Sequence, residues 1–141
     1  MVYVDTAPGI PPLDPDFDGV EKPMSWEELS AEENLDGLSE EQLETFRQRA
    51  VPQPGGVLRE GSVLTNDRRR DIPSTIICTG FPSEQVKAYA EEHNPAWLGG
   101  LAELRDMTWI DLPTSHWPMS SRPRELAEII GDVAKAHAPG S

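Results

Sequence analysis

One histidine in this sequence, His116, stands where a side chain could do chemistry. It follows an apolar run at 107–112 and precedes a helix that Pro123 can open. Functional groups in parallel α/β sheets gather at the carboxyl ends of strands. An imidazole at that place can act as a general base near neutral pH. Loop histidines are also common as plain surface residues, so position alone leaves both roles open.

The other chemistry-bearing residues form no recognisable site. The His, Cys, Asp and Glu residues lack metal-ligand spacing, and no glycine-rich loop follows a predicted strand to hold a phosphate. We therefore predict neither a metal nor another cofactor. The single cysteine, Cys78, lies in an apolar run and is expected to be a small buried side chain rather than a reactive thiol. His93 and His137 are expected at the surface.

The charge balance excludes two classes of partner. The 141 residues carry 25 acidic and 12 basic side chains, a formal net charge of −13. Such a surface repels phosphate backbones and anionic lipid, so we expect no nucleic-acid and no membrane partner. No run reaches the roughly 20 apolar residues of a membrane span, and the first residues do not resemble a signal peptide. We therefore expect a soluble cytoplasmic protein.

The elements that must position His116 alternate between strand and helix. Apolar, β-branched runs predict buried strands at 1–5, 74–80 and 107–112. A helix is expected from Ser83 to about residue 93, a shorter one within 95–104, and a last one from Pro123 with an apolar stripe. Strands that alternate with helices predict an α/β fold, here a partial parallel sheet of about three strands flanked by helices.

A segment of different composition lies between the first two strands. Ser25 and Ser39 each begin a helix with a capping box, and the second helix runs to about Ala50. Gly55-Gly56 and nearby prolines end it, and 57–70 is expected to be loop. The prediction thus has three parts: a first strand and loop at 1–23, a helical insertion over the sheet at 24–66, and a strand–helix–strand–helix segment at 67–141.

The stretch 112–127, Leu-Pro-Thr-Ser-His-Trp-Pro-Met-Ser-Ser-Arg-Pro-Arg-Glu-Leu-Ala, resembles the end of α/β-hydrolase-fold proteins. In that family the last strand runs into Gly-His or Ser-His, an apolar residue and Pro-Met or a similar pair, followed by Pro and a helix. The segments 71–79 and 2–9 are similar to the two preceding strands of the family, which puts the acidic helices in the position of its cap. The resemblance covers essentially the whole chain. It implies an esterase-like hydrolase of a small acyl substrate, with His116 as the base.

The resemblance also implies a carboxylate that orients the imidazole. Glu84 is the carboxylate nearest the end of the 74–80 strand, where the family usually carries this acid. Asp5, after the first strand, is the second candidate because some relatives place the acid one strand earlier. Glu84 equally suits a helix N-terminus, which would be a structural role. Asp111 lies inside a strand and is expected to be structural.

Substrate contacts follow from the same resemblance. Trp117 and Met119 would line the pocket beside His116, and Trp26 and Phe46 in the cap could touch the substrate. Plain core packing is the alternative role for each of these side chains.

The nucleophile is not found in this sequence. The family carries it on a Gly-x-Ser-x-Gly turn between a strand and a helix, and no such pentapeptide occurs here. Ser115 and Ser120 share the loop of His116, and Ser62 lacks the second glycine. The resemblance thus implies the C-terminal half of a hydrolase, inactive alone, which would take a small-molecule substrate once an N-terminal half completes it. The alternatives are a non-catalytic binding or interaction module and a gene fragment. The exposed first strand would favour self-association.

Overall fold

A computed structural model describes residues 1–92 and 98–137 of the chain. In chain order the strands are β1 (Val2–Val4), β2 (Glu21–Lys22), β3 (Gln53–Pro54), β4 (Ser74–Cys78) and β5 (Met107–Asp111). The helices are α1 (Trp26–Glu32), α2 (Glu40–Arg49), α3 (Gly55–Arg59), α4 (Ser83–Glu91), α5 (Gly99–Ala102), α6 (Pro118–Ser121) and α7 (Pro123–Ala136), with a 3-10 helix at Asp67–Asp71. The predicted class is confirmed: a three-stranded parallel sheet is flanked by helices.

The sheet has the strand order β1-β4-β5, so β4 lies in the centre. Val4 is opposite Ile77 and Cys78 is opposite Asp111, which brings the carboxyl ends of all three strands to one edge of the sheet. All five residues of β4 are buried, as its β-branched run predicts. The expectation of a fully buried β5 is wrong, because β5 is an edge strand and its residues are half-buried or exposed.

Helices cover both faces of the sheet. Ile76 and Cys78 point to one face and Ile77 to the other, because side chains alternate along a strand. On the first face α4 and α5 complete the larger core cluster, which contains Ala7, Ile76, Cys78, Val86, Ala90, Leu98, Leu101 and Leu104. On the second face Leu126 of α7 packs with Ile77 and Leu112. The small buried thiol predicted for Cys78 is confirmed.

The apolar stripe predicted for α7 is only partly covered. Leu126 is buried and Ile129 is half-buried against its core cluster, whereas Ile130 is 40% exposed and Ala127 and Ala134 are also exposed. The helix itself begins at Pro123, as predicted. Apolar surface therefore remains open on α7.

The insertion forms its two predicted helices. Ser39 and Gln42 form a complete capping box at the start of α2. At the start of α1 only half of the predicted box is present: Ser25 accepts from the Glu28 amide, but the Glu28 carboxylate lies 3.8 Å from Lys22 instead. The ammonium group thus replaces the backbone N–H as the partner of that carboxylate.

Other local predictions need correction. The region 57–70 was expected to be loop, but it contains the end of α3 and most of the 3-10 helix. Gly55 begins α3 instead of only ending α2, because its N–H donates to the Val20 carbonyl and a β-carbon there would clash with the Gly19 carbonyl. The expected helix within 95–104 is seen as α5; its first residues and His93 lie outside the described ranges. His137 is exposed, as predicted.

No helix in the described part of the chain is both long and apolar enough to cross a membrane.

Candidate active site

Asp5 ends β1 in an unusual backbone conformation. Its φ of 48° is left-handed, a region that Asp tolerates better than most residues with a β-carbon. The backbone N–H of Asp5 donates to the Ile77 carbonyl at 2.8 Å, which continues the pairing with β4. The N–H of Thr79 donates to Asp5 Oδ1 at 3.1 Å. These contacts fix the carboxylate at the carboxyl edge of the sheet.

The imidazole of His116 meets this carboxylate. Nδ1 of His116 lies 2.6 Å from Oδ2 of Asp5, although the two residues are 111 positions apart. A carboxylate only accepts hydrogen bonds, so Nδ1 carries the proton and donates it. In the neutral ring Nε2 then has a free lone pair. Among the described residues, no protein group forms a hydrogen bond with Nε2.

The two groups change each other's ionisation. The hydrogen bond to Asp5 raises the pKa of His116 above its ordinary value, burial opposes this, and the charges of Asp5 and Glu33 add to the increase. Burial raises the pKa of Asp5, but the hydrogen bonds from His116 and Thr79 outweigh it, so the pKa lies below its ordinary value. Asp5 is therefore ionised at neutral pH and stabilises a protonated His116.

The backbone of the histidine loop (residues 112–117) is held by the insertion. The His116 N–H donates to the Asn34 carbonyl at 3.0 Å, and the Asn34 side-chain amide donates to the Thr114 carbonyl at 3.1 Å. Oδ1 of Asn34 accepts from the Asp36 N–H at 2.8 Å. Asn34 thus ties the α1–α2 connection to the loop from both sides of Ser115. Asn34 is not predictable from the sequence beyond its residue type, since Asn side chains often accept from the N–H two residues later in an Asx-turn.

Helix α2 supports the segment that follows His116. The side-chain amide of Gln42 donates to the Ser120 carbonyl at 2.7 Å. The rings of Phe46 and Trp117 have centroids 4.9 Å apart, and Trp26 packs edge-on against Phe46 at 6.1 Å. The predicted insertion therefore contacts the histidine loop through polar and aromatic groups.

A cavity of about 830 Å³, here called the histidine cavity, lies against the Asp5–His116 pair. Its apolar lining includes Ile10, Leu13, Ile76, Ile77, Cys78, Phe81, Val86, Tyr89, Leu98 and Leu101. Its polar lining residues include Asp5, Thr6, Glu32, Glu33, Asn34 and His116. Burial raises the pKa of the Cys78 thiol to about 11, so this group is not a thiolate at neutral pH. The arrangement places one base beside a mainly apolar space.

The two candidate acids lie in different surroundings. Glu84 is in the first turn of α4 with its side chain 87% exposed, and it forms an ion pair with Lys87 at 2.9 Å. Asp5 is the carboxylate that contacts His116. Asp111 accepts from the backbone N–H and the hydroxyl of Ser83 at 2.7 and 3.1 Å, so it caps the start of α4 from the neighbouring strand.

The predicted substrate contacts lie apart from the histidine cavity. Trp117 and Phe46 line a second cavity, of about 730 Å³, together with residues of α2. Met119 is 55% exposed and lines neither cavity. The guanidinium carbon of Arg47 lies 4.0 Å from the centroid of the Trp26 ring. A substrate in the histidine cavity would meet other side chains first.

No nucleophile in the described part of the chain is engaged by the pair. Ser115 is fully buried, its hydroxyl lies 2.9 Å from that of Ser121, and it accepts from the Trp117 N–H. Ser120 is exposed and contacts Gln42 through its carbonyl. Within residues 1–92 and 98–137, no hydroxyl or thiol forms a hydrogen bond with His116, and no three His, Cys, Asp or Glu side chains cluster closely enough to hold a metal ion.

Comparison with protein-family models, with curated proteins and with solved structures found no match to this chain.

Proposed function

We propose that Asp5 and His116 are the orienting acid and the general base of an esterase-like hydrolase of the α/β-hydrolase type, acting on a small acyl substrate. Nε2 of His116 would take the proton of a nucleophilic hydroxyl as that hydroxyl attacks the acyl carbon. The same proton would then pass to the leaving alcohol. Asp5 would hold the ring in the Nδ1–H tautomer and stabilise the imidazolium that forms between these steps.

The observation that carries the proposal is the 2.6 Å contact between His116 Nδ1 and Asp5 Oδ2. The two groups belong to loops after the two edge strands and meet at the carboxyl edge of the sheet, beside the histidine cavity. That edge is where open α/β sheets bind their ligands. A purely structural His–Asp pair would need neither the adjacent cavity nor an Nε2 that no described residue hydrogen-bonds.

The nucleophile would come from a further strand along β1. Among the described residues no strand pairs with the outer edge of β1. The exposed part of the α7 stripe lies on the helix whose Leu126 belongs to the core cluster that Val2 and Val4 also contact. An added strand and helix would cover both surfaces, and the turn between them would emerge at the carboxyl edge near His116 if the new strand were parallel.

The test starts from the coding DNA on the 5′ side of the Met1 codon. We expect it to encode a Gly-x-Ser-x-Gly segment between a predicted strand and helix, in frame or as a separate chain. The two segments produced together should hydrolyse 4-nitrophenyl butyrate and should be inhibited by a serine-directed fluorophosphonate. His116→Ala and Asp5→Ala should each reduce kcat by at least about 100-fold, whereas Glu84→Gln should leave it unchanged.

Two results would overturn the proposal. One is upstream DNA that encodes no such segment, and the other is esterase turnover that survives His116→Ala. We expect no fluorophosphonate-sensitive turnover from the present chain alone, because no described hydroxyl engages His116.

The alternative function is a non-catalytic binding module that uses the same cavity. It is favoured by the lack of an engaged nucleophile within the described residues. A chain that binds small apolar ligands, melts sharply as a monomer and has no upstream nucleophile segment would support this alternative.

A further inference from the structure

The charged groups around the histidine cavity are of one sign. Asp5, Glu32 and Glu33 line the cavity, and none of the 12 Lys and Arg residues does so. The stretches 93–97 and 138–141, which the structure does not describe, contain no Lys or Arg in their sequence. His116 is the one lining residue that can become positively charged near neutral pH, and Asp5 already balances it.

Glu32 and Glu33 are uncompensated. They lie at the end of α1, whose last turn has no basic residue, and neither forms an ion pair with another described residue. Both are exposed, in contrast to Asp5. The field of Glu33 also reaches His116, whose pKa it helps to raise. Two free negative charges therefore stand at the solvent side of the cavity.

The inner surface of the cavity suits an apolar body next to a positive charge. Ile76, Leu98 and Leu101 are buried and present a hydrocarbon surface. Phe81 and Tyr89 pack edge-to-face, with ring centroids 6.1 Å apart, and both line the cavity. Aromatic rings attract cations through their faces. The apolar lining would thus bind the hydrocarbon part of a ligand, and the glutamates would attract its positively charged end.

We propose that the histidine cavity binds a small organic cation, with its apolar part against the β4 side chains and its ammonium group near Glu32 and Glu33. Small anions would be repelled by the same carboxylates. The inference deepens the proposed function, on which it rests for its chemistry: the acyl substrate would be a positively charged ester or a related compound.

Three small molecules of similar size and shape but different charge would show whether charge determines binding. Benzylamine (a cation at pH 7.5), benzyl alcohol and benzoate share one ring and differ in charge. Their dissociation constants would be measured from the chemical-shift changes of Ile76, Leu98 and Leu101 methyl groups in 20 mM salt. We expect benzylammonium to bind roughly fivefold tighter than benzyl alcohol, and benzoate to bind more weakly than both. At 0.5 M salt the difference should largely disappear.

A pair of double variants tests which carboxylates are responsible. Glu32→Gln/Glu33→Gln should bring the affinity for benzylammonium to that for benzyl alcohol. The control, Glu40→Gln/Glu128→Gln, changes the net charge equally at exposed glutamates that do not line the cavity, and it should keep the preference. Both variants keep the side-chain size, and their heteronuclear spectra would show whether the fold is kept.

Benzoate binding as tightly as benzylammonium would overturn the inference. So would a preference that survives Glu32→Gln/Glu33→Gln, or probe-induced shifts confined to the second cavity beside α2. The proposed hydrolase function is tested by a separate result. His116→Gln should abolish turnover of the completed enzyme but leave the order of probe affinities unchanged.

Discussion

Asp5 and His116 are each held by a second hydrogen bond, independent of the bond between their side chains. The backbone N–H of Thr79 donates to Asp5 Oδ1 at 3.1 Å, and the backbone N–H of His116 donates to the Asn34 carbonyl at 3.0 Å. The orientation of the pair is therefore set before a substrate binds. A base that is already oriented loses little entropy on entering the transition state.

The identity of the acid can be tested through the pKa of His116. Asp5→Asn removes the nearest negative charge and keeps a residue type that tolerates the left-handed backbone of Asp5. We expect the His116 pKa to fall to its ordinary value of 6.5 or below, as followed by the ring Cε1–H resonance. Glu84→Gln is the matched control and should not change it, since Glu84 pairs with Lys87 on the surface. The opposite pattern would make Glu84 the acid.

The pair also predicts how stability depends on pH. The pKa of His116 is raised on folding, so its contribution is fully present below 6.5 and is lost as the pH rises through the folded-state value. The pKa of Asp5 is lowered, so its contribution is present above 3.8 and is lost as the pH falls through the folded-state value. Both contributions, which describe one interaction, are present between pH 3.8 and 6.5. Urea unfolding should show His116→Gln least stable relative to the parent in this window. A constant difference from pH 4 to 9 would contradict the assignment.

Asn34 should position His116 through the loop backbone. Asn34→Ala removes the bonds to Thr114 and Asp36 and should cost about 1–2 kcal/mol of unfolding free energy. Because the loop is loosened, the His116 pKa should also move toward its ordinary value. Asn66→Ala is the control: it removes a similar local bond, to the Arg68 N–H, far along the chain from the pair. If both variants leave the His116 pKa unchanged, Asn34 has only a structural role.

Close packing of α5 against the loop after β1 predicts a steric effect. A β-carbon at Gly100 would lie 1.8 Å from the Pro8 carbonyl oxygen, so Gly100→Ala should cost about 1–3 kcal/mol. At Gly131 in α7 a β-carbon would meet nothing within 4 Å. Gly131→Ala should therefore stabilise the protein by up to about 1 kcal/mol through helix propensity. Thermal melts that rank the two variants the other way would contradict this packing.

The outer edge of β1, with which no described strand pairs, predicts self-association. The Thr75 N–H bonds to the Met1 carbonyl and the Asp5 N–H to the Ile77 carbonyl, so the intervening Val4 directs its N–H away from β4. We expect sedimentation velocity to show a concentration-dependent increase in size. Val4→Pro should reduce it by removing the outward N–H, whereas Val4→Ala loses similar packing but keeps that donor. If both variants associate to the same extent, the interface between copies does not use the outer edge of β1.

The parts of the fold that were predictable are those with strong local patterns. The β-branched run at 74–80 is buried on both sides as β4, and Pro123 begins α7 where helix-start chemistry places it. The role of the Gly55-Gly56 pair was predicted incorrectly. Gly55 is needed because the backbone carbonyl of Gly19 approaches it closely, and the sequence around Gly55 does not reveal this distant contact. The exposure of β5 likewise depends on strand order, which a single strand sequence does not contain.

The position of a base in the candidate site was predictable, but the carboxylate that contacts it was not. The position of His116 after a strand indicates a base at the carboxyl edge of the sheet. The choice between Asp5 and Glu84 depends on which loop turns toward the imidazole. That depends on the left-handed turn at Asp5 and on the α4 cap supplied by Asp111, both fixed only in the folded chain.

The long separation between Asp5 and His116 has a kinetic consequence. Among the described residues, strand β1 pairs only with β4, 73 positions later, and Asp5 meets His116 only after the chain has also placed β5. Contacts of such high sequence separation slow folding and form late, because the loop between them must close first. Refolding chains should therefore acquire helix signal in α2 and α7 before the ring resonance of His116 reaches its native position. The imidazole would then report completion of the last step of folding, and a ribosome-bound chain would lack the pair until His116 had emerged.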